Sequence, residues 1–263
     1  MVDQHGRPTA RDTQAQYGRQ AEHYSTSVPH GRGETLTTVR ELAAAAETET
    51  ALDIGTGTGF TAFEIAASAR RVVAADLTLQ MLTEARRLSR ERGLEARIEL
   101  MLLAAERLPF RDASLPLVTS RTASHHFHDL ATALAEVARV LAPGGRFVLC
   151  DTVAPEPPAL VELMNDWELR RDPSHVWNHP VSQWREKLLP AAGLEVREVA
   201  TGRTPLVFSD WVRRSGTPEN VVAALRRRYV DAPDEAKAAF EIQAAEGEVY
   251  FSWPNLTILA TKP

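Results

Sequence analysis

The amino-acid sequence predicts an α/β fold, a doubly wound and mostly parallel sheet with helices on both faces. Three observations predict it. Short apolar runs alternate with amphipathic helical stretches between about residues 50 and 150, a spacing that requires crossover connections and therefore parallel pairing. The runs are continuously apolar, as strands buried on both faces are. A glycine-rich turn, Gly55-Thr-Gly57-Thr-Gly59, follows the first run directly, where a strand would hand over to a helix.

Residues 1–16 are polar and are expected to be loose. A short helix is predicted from Ala15 to about Thr26, carrying Tyr17, Ala21 and Tyr24. A second runs from about Gly33 to Ala46, with Leu36, Val39, Leu42 and Ala43 on one face. Ala51–Ile54 is the first strand, followed by the glycine turn and a helix from Thr61 to Ala69. Arg71–Ala75 is the second strand and ends at Asp76. Met81, Leu82, Ala85 and Leu88 mark a helix that stops at Gly93, a residue suited to a helix C-terminus. Ile98–Leu103 and Leu117–Ser120 are the third and fourth strands. Asp129 can cap a helix striped by Leu130, Leu134, Val137 and Leu141. Pro143-Gly144-Gly145 is expected to end it before a fifth strand, Arg146–Cys150.

After Asp151 the alternation breaks. A helix carrying Leu160, Leu163, Met164 and Trp167 precedes the segment RDPSHVWNHP. A helix (Ser182 to Ala192) and a strand (Leu194 to Val199) then resume the core. Residues 208–247 read as further helix, and Asn255–Lys262 as a closing strand. The sum is a Rossmann-like, doubly wound, mostly parallel seven-stranded sheet with helical cap insertions. Residues 1–46 would be N-terminal lid helices and 47–153 the ligand-binding core. Residues 154–263 would hold the rest of the core (182–207 and 248–263), with cap insertions at 154–181 and 208–247 roofing the rim of the sheet.

Composition excludes several classes. The 263 residues are 44% apolar and 25% charged, with a net charge of -5. That balance argues against a nucleic-acid binder, which needs clustered basic residues to neutralise phosphates. Arg226–Arg228, the one triple run of a single sign, fits a helix end on a solvated face. No apolar run is long enough for a transmembrane helix, and the polar N-terminus lacks the apolar segment of a signal peptide. The expected setting is cytoplasmic. One cysteine, Cys150, excludes an internal disulfide and a Cys-rich zinc site, and its apolar run reads as a buried, inert thiol.

Ligands of such sheets bind beyond the carboxyl ends of the strands. That rim gathers the glycine turn, Asp76 and the segments after Leu103, Ser120 and Cys150. Gly55, Gly57 and Gly59 let the chain turn sharply and let a ligand approach main-chain N–H groups. Asp76, closing the second strand, is placed to accept from both hydroxyls of a ribose, or else to cap the next helix. Asp53 could hold the loop N–H groups or a ligand ammonium. His125 and His126 follow the fourth strand, and a histidine there suits a base at neutral pH; alternatively one packs beneath the rim on a backbone carbonyl. With His128 and Asp129 they form HHxHD, but the i, i+1, i+3 spacing does not converge on one helix face, so no metal is expected. His175 and His179 lie in the cap beside Trp177, either over the substrate or as a polar loop pinned by the tryptophan. Asp151 could bind a substrate hydroxyl or cap the following turn. Trp167, Trp184 and Trp211 read as core.

The segments ALDIGTGTGFTAFEIA, VVAADLTLQML, AERLPF, SRTASHHF and EVARVLAPGGRFVLCD occur in one order. In that order the chain resembles the class I S-adenosylmethionine-dependent methyltransferases, and most of all the branch around the ubiquinone/menaquinone C-methyltransferases (methyltransferase type 11). The resemblance spans about residues 20–261 and is strongest over 50–152. It implies S-adenosyl-L-methionine as cofactor, with Gly55, Gly57 and Gly59 cradling its methionine part and Asp76 holding the ribose. It further implies Leu77, Ala105 and Glu106 around the adenine, Arg121 facing the methionine end, and Tyr24 on a closing lid helix. Two positions depart from the pattern: Ala104 stands where relatives carry an adenine-binding Asp, and Leu115-Pro116 stands where they carry Phe-Asp.

The function this implies is in-line methyl transfer to a small-molecule acceptor, with a rim histidine as base. The caps favour a compact, partly apolar acceptor, and a homodimer is compatible with the sequence. One alternative keeps the fold but transfers nothing, as a ligand-binding module or cyclase. A nicotinamide-dependent reductase is a poor fit, because the third glycine comes one residue early and VLAPGGRFVL has no role in one.

Overall fold

A computed structural model describes residues 8–25 and 33–263. Helix α1 (Ala10–Ser25) starts earlier than the polar sequence suggests. The reason is local. The Asp12 carboxylate accepts from the Thr9 N–H at 2.8 Å and from the Thr9 hydroxyl at 2.6 Å, which satisfies donors that an unsupported helix start leaves unpaired. Residues 10–16 are therefore helical where loose chain was expected. Residues 1–7, and Thr26 at the expected end of this helix, lie outside the described residues.

Helix α2 (Glu34–Ala43) precedes an alternating core of β1 (Thr50–Ile54), α3 (Phe60–Ala66), β2 (Arg71–Asp76), α4 (Leu79–Glu91), β3 (Ile98–Leu102) and β4 (Leu115–Arg121). A 3-10 turn (Ser124–His126), α5 (Leu130–Val140) and β5 (Leu141–Thr152) complete the parallel part. Asp129 caps α5 as expected, its carboxylate accepting from Thr132 N at 3.0 Å. Two boundaries moved. Pro143-Gly144-Gly145 lies within an irregular opening of β5, between the pairs Leu115↔Leu141 and Leu117↔Arg146. A left-handed Gly144 (φ 73) accommodates the bulge. Pro116 sits at the same irregularity on β4, where a missing ladder donor is tolerated.

The sheet order is β3-β2-β1-β4-β5-β8-β6, with β1 to β5 parallel and β8 (Glu248–Thr261) antiparallel to both β5 and β6 (Glu195–Val207). Seven strands form this path as expected. An eighth, β7 (Gln243–Ala245), pairs with the start of β8. The strand order reverses between β1 and β4, which places the ligand crevice over their carboxyl ends. Side chains alternate across the sheet. Leu52, Ile54, Val73, Val118, Phe147 and Leu149 pack on one face with α5 and Trp184. Ala51, Val72, Ala74, Leu117, Val148 and Cys150 pack on the other with Val39 of α2 and Ile65 of α3. Burial pushes the Cys150 thiol up to about 11, consistent with an inert group.

The largest difference from the sequence reading is at the outer strands. β6 runs on to Val207 instead of stopping at Val199, and β8 begins at Glu248 instead of Asn255. Gly202, Pro205 and Pro254 lie inside the extended strands. Pro205 is harmless because β6 is an edge strand, where one side of the backbone needs no partner. Pro254 lies just beyond the last β5–β8 pair, Thr152↔Asn255. The extended ribbon carries the caps. Helix α6 (Pro158–Arg171), α8 (Phe208–Ser215), α9 (Glu219–Val230) and α10 (Asp234–Ala239) pack on it through an aromatic cluster of Trp167, Trp211, Tyr229, Phe240, Phe251 and Trp253. Trp167 stacks on Tyr229 with ring centroids 4.2 Å apart. Helix α7 runs from Val181–Gln183 through a π turn at Trp184–Leu188 to Leu189–Ala191, back under the parallel sheet.

Candidate active site

One cavity follows the rim from the glycine turn to the aromatic cap. Its first half is made by the ends of β1 to β4. Gly55, Gly57 and Gly59 all have positive φ (65, 54 and 95), which glycine adopts without strain. Their surroundings differ. A Cβ on Gly55 would lie 2.4 Å from the Ala123 Cβ, and one on Gly59 would lie 2.6 Å from the Phe63 ring, so those two glycines serve packing within the protein. A Cβ on Gly57 would meet nothing within 4 Å, and this residue faces the cavity.

Asp76 closes β2 as expected. Its Oδ2 accepts from Gly57 N and its Oδ1 from Thr78 N, each at 2.8 Å. Burial raises this carboxyl's pKa, and the two N–H groups pull it partly back. Each oxygen keeps a further lone pair for a hydroxyl. Leu77, Ala104, Ala105 and Glu106 line the same half; Glu106 Oε1 accepts from His128 N at 3.0 Å. Asp53 lies beneath the loop and off the cavity wall. Its Oδ1 accepts from the Thr119 hydroxyl at 2.6 Å, its Oδ2 is buried without a partner, and burial pushes its pKa up to about 6. Arg121, at the end of β4, lines the cavity and donates through Nε to the Thr61 hydroxyl at 2.9 Å. An open face over Gly57 and a carboxylate with spare acceptor capacity at the strand end suit an adenosine-bearing ligand.

The second half begins at the 3-10 turn. Asp151, at the end of β5, is 1% exposed and holds four donors, one of them Thr152 N at 2.8 Å on Oδ1. Its Oδ1 accepts from His125 Nδ1 at 2.6 Å, and its Oδ2 accepts from His125 N at 3.1 Å and from the Ser124 hydroxyl. Because a carboxylate only accepts, His125 Nδ1 carries the proton in this pair. Nε2 is then a lone-pair nitrogen, without a hydrogen-bond partner among the described residues, on a side chain that lines the cavity. Burial works against a charged His125, but the Asp151 carboxylate outweighs it and the pKa rises above its ordinary value near 6.5. Asp151 mirrors this: burial lifts it, His125 and Ser124 outweigh the lift, and its pKa falls.

His126 is built differently. Its Nδ1 donates to the Ser174 carbonyl at 3.0 Å, so its Nε2 accepts from the Tyr17 hydroxyl at 2.5 Å. Burial and the neighbouring His125 push its pKa down to about 4. A neutral ring whose lone pair is taken by a tyrosine is poorly disposed to act as a base. It ties helix α1, with Tyr17 and Tyr24 in ring contact at 5.3 Å, to the cap segment at Ser174. The RDPSHV segment is also pinned to the site, since Val176 N and Trp177 N both donate to the His125 carbonyl.

The cap histidines do not reach the cavity. His175 is 1% exposed and its Nε2 donates to Asn165 Oδ1 at 2.8 Å. His179 pairs with Gln183 at 2.8 Å and packs edge-on against Trp184. The far wall is formed by residues that the sequence reading did not single out. Glu168 and Arg171 of α6, Arg214 of α8, Thr204 and Leu206 of β6, and Trp253 of β8 all line it, together with Trp211, which had read as core. A signal existed in Glu168 and Arg171, two charges on the helix that also buries Met164 and Trp167.

Comparison with known proteins follows this geometry. A methyltransferase domain model matches residues 52–149. The chain is 34% identical over 224 residues to a protein named uncharacterized methyltransferase YcgJ from Bacillus subtilis (strain 168), covering 85% of this chain and 88% of that one. It is also 34% identical over 127 residues to the ubiquinone/menaquinone biosynthesis C-methyltransferase UbiE of Brucella anthropi, 47% of this chain and 48% of that one. Among solved structures, YcgJ superposes with a TM-score of 0.83 at 33% identity, over 87% of this chain and 97% of that one. The BH2331 protein of Bacillus halodurans C-125 gives the same score and identity over 88% of this chain and 100% of that one.

Proposed function

The chain belongs to the class I S-adenosylmethionine-dependent methyltransferases, with S-adenosylmethionine as its cofactor, and from that premise we propose that it methylates a small molecule held beneath the cap, using His125 as base. A ligand-binding module or cyclase of the same fold, transferring nothing, is not favoured by these relationships. The observation that carries the proposal is the His125–Asp151 pair, which leaves a lone-pair nitrogen on the cavity wall between the adenosine half and the aromatic half.

The cofactor supplies an electrophilic methyl group on a sulfonium sulfur. The protein's own work is placement and proton handling. Asp76 binds the ribose hydroxyls, the Gly57 face admits the chain to close range, and Leu77, Ala105 and Glu106 surround the adenine. With Ala104 at the usual acidic position, a neighbouring main-chain group serves the adenine amino group. Arg121 binds the cofactor's carboxylate end, and Tyr24 closes over it from α1. An acceptor hydroxyl lying against His125 Nε2 gives up its proton there, and Asp151 stabilises the imidazolium that forms. Holding the acceptor atom in line with the methyl supplies much of the rate, because a bimolecular step becomes effectively unimolecular. His126 serves as a latch between lid and cap.

A net charge of -5 and scattered basic residues support a small molecule over a nucleic acid. Among the described residues no helix is long and apolar enough to cross a membrane, and this supports a chain that does not cross the membrane by a helix. A methyl-release assay over phenols, quinols and amines, run beside cofactor calorimetry, tests the function. Turnover of at least one class is expected, lost in His125→Ala with cofactor affinity retained. Full turnover in that variant would remove His125 as base.

A further inference from the structure

The far wall of the acceptor half holds two buried arginines, Arg171 and Arg214. Most of Arg171 is in use. Its Nη1 donates to Glu168 Oε2 at 2.8 Å, its Nε to Trp211 O and the Ser215 hydroxyl at 3.2 and 3.1 Å, and it lies 5.0 Å over the Trp211 ring. Arg214 is tied only at Nε, to Asp210 Oδ2 at 2.8 Å. Its two Nη groups, and Nη2 of Arg171, have no partner among the described residues.

Two of the carboxylates nearby are already committed. Glu168 is filled by Arg171 and by Trp253 Nε1 at 2.6 Å. Asp210 is shared between Arg213 and Arg214. Asp172 Oδ1 accepts from the Ser174 N–H and hydroxyl, while its Oδ2 is buried without a hydrogen-bond partner. Arg171 and Arg214 both line the chamber, and each keeps Nη donors without a partner among the described residues. Buried guanidinium donors are costly to leave without acceptors. Leu206, Trp211 and Trp253 supply apolar and aromatic wall, with Thr204 and Asn255 beside them.

Building on the assignment of this half of the cavity to the acceptor, we propose that the acceptor carries an oxyanion, a carboxylate or a phosphate, on an aromatic or apolar body, and that Arg214 with Arg171 binds it. The anion anchors the distal end of the molecule while the atom to be methylated lies toward His125. The body lies against the Trp211 and Trp253 rings, which pack edge to face on each other with centroids 6.0 Å apart. Paired guanidinium edges bind oxyanions through charge-assisted bonds about twice as strong as neutral ones, so they discriminate an acid from its neutral isostere.

Calorimetry on the full chain loaded with S-adenosylhomocysteine tests this, using 4-hydroxybenzoate against 4-hydroxybenzamide and phenyl phosphate against phenol. At least one anion is expected to bind about tenfold or more tighter than its neutral partner. The preferred pair tells carboxylate from phosphate. The preference should vanish in Arg214→Gln and partly return in Arg214→Lys, with S-adenosylhomocysteine affinity unchanged in both. A loaded wild-type chain with no preference for either anion, including one that binds none of the four, overturns the proposal. So does a preference that survives Arg214→Gln. Failure to bind S-adenosylhomocysteine would instead strike at the assignment of the cavity itself.

Discussion

The two halves of the cavity are assembled in opposite ways. The half proposed for adenosine is made by short, contiguous segments at strand ends, and much of its chemistry is backbone: Gly57 N and Thr78 N on Asp76, and an open main-chain face at Gly57. The acceptor half is made by side chains from α1, the 3-10 turn, α6, α8, β6 and β8, brought together by the aromatic cap. A backbone site tolerates sequence change around it as long as the turn survives. A side-chain site can be rebuilt for another acceptor without disturbing the first. The fold thus separates a constant function from a variable one.

The largest effect expected from breaking this division comes at the boundary. His125→Ala should lower kcat by about 10²–10⁴-fold, the usual contribution of a positioned base, and leave the cofactor dissociation constant unmoved. Steady-state kinetics beside calorimetry reads both. The pH profile sharpens the point. A base must be neutral to accept a proton, and the Asp151 carboxylate holds the His125 pKa above 6.5, so kcat should fall as pH drops through that raised value. Asp151→Asn removes the raising charge, and the acid limb should move to lower pH. His126, held near 4, should leave no limb in the neutral range.

The converse variant, Asp76→Ala, should weaken cofactor binding by about tenfold to a hundredfold, the range for hydrogen bonds to a charged group. At saturating cofactor, the acceptor KM should be retained. Equal losses for both ligands would mean that the halves are one cooperative unit. The smallest effect belongs to the latch. Tyr17→Phe removes one hydrogen bond to His126, worth about 1 kcal/mol net. Faster hydrogen exchange in α1 should accompany a few-fold rise in acceptor KM; no change in exchange would mean that the contact does not hold the lid.

The same division governs what the sequence discloses. Parallel strands buried on both faces leave continuous apolar runs, so β1 to β5 were readable, and the glycine turn and Asp76 are adjacent to them in the chain. Residues such as Arg214 and Trp253 left no such trace, because they meet His125 only through the cap. The outer strands run further than their apolar cores suggest, past Pro205 and Pro254, which an edge position and the end of a ladder accommodate. Local propensity also missed the early start of α1, which the Thr9–Asp12 pair supports. His125 and His126 are neighbours in sequence with the same residue type. Their separate roles follow from different partners, Asp151 in one case and Tyr17 with Ser174 in the other, and partners are a property of the folded chain.

A crystal structure of the chain with S-adenosylhomocysteine bound tests the account most directly. Both ribose hydroxyls are expected on the Asp76 carboxylate, with the sulfur open toward His125 Nε2 and the chamber walled by Trp211 and Trp253. A nucleoside bound away from Asp76, or a sulfur sealed off from His125 by protein atoms, would contradict it.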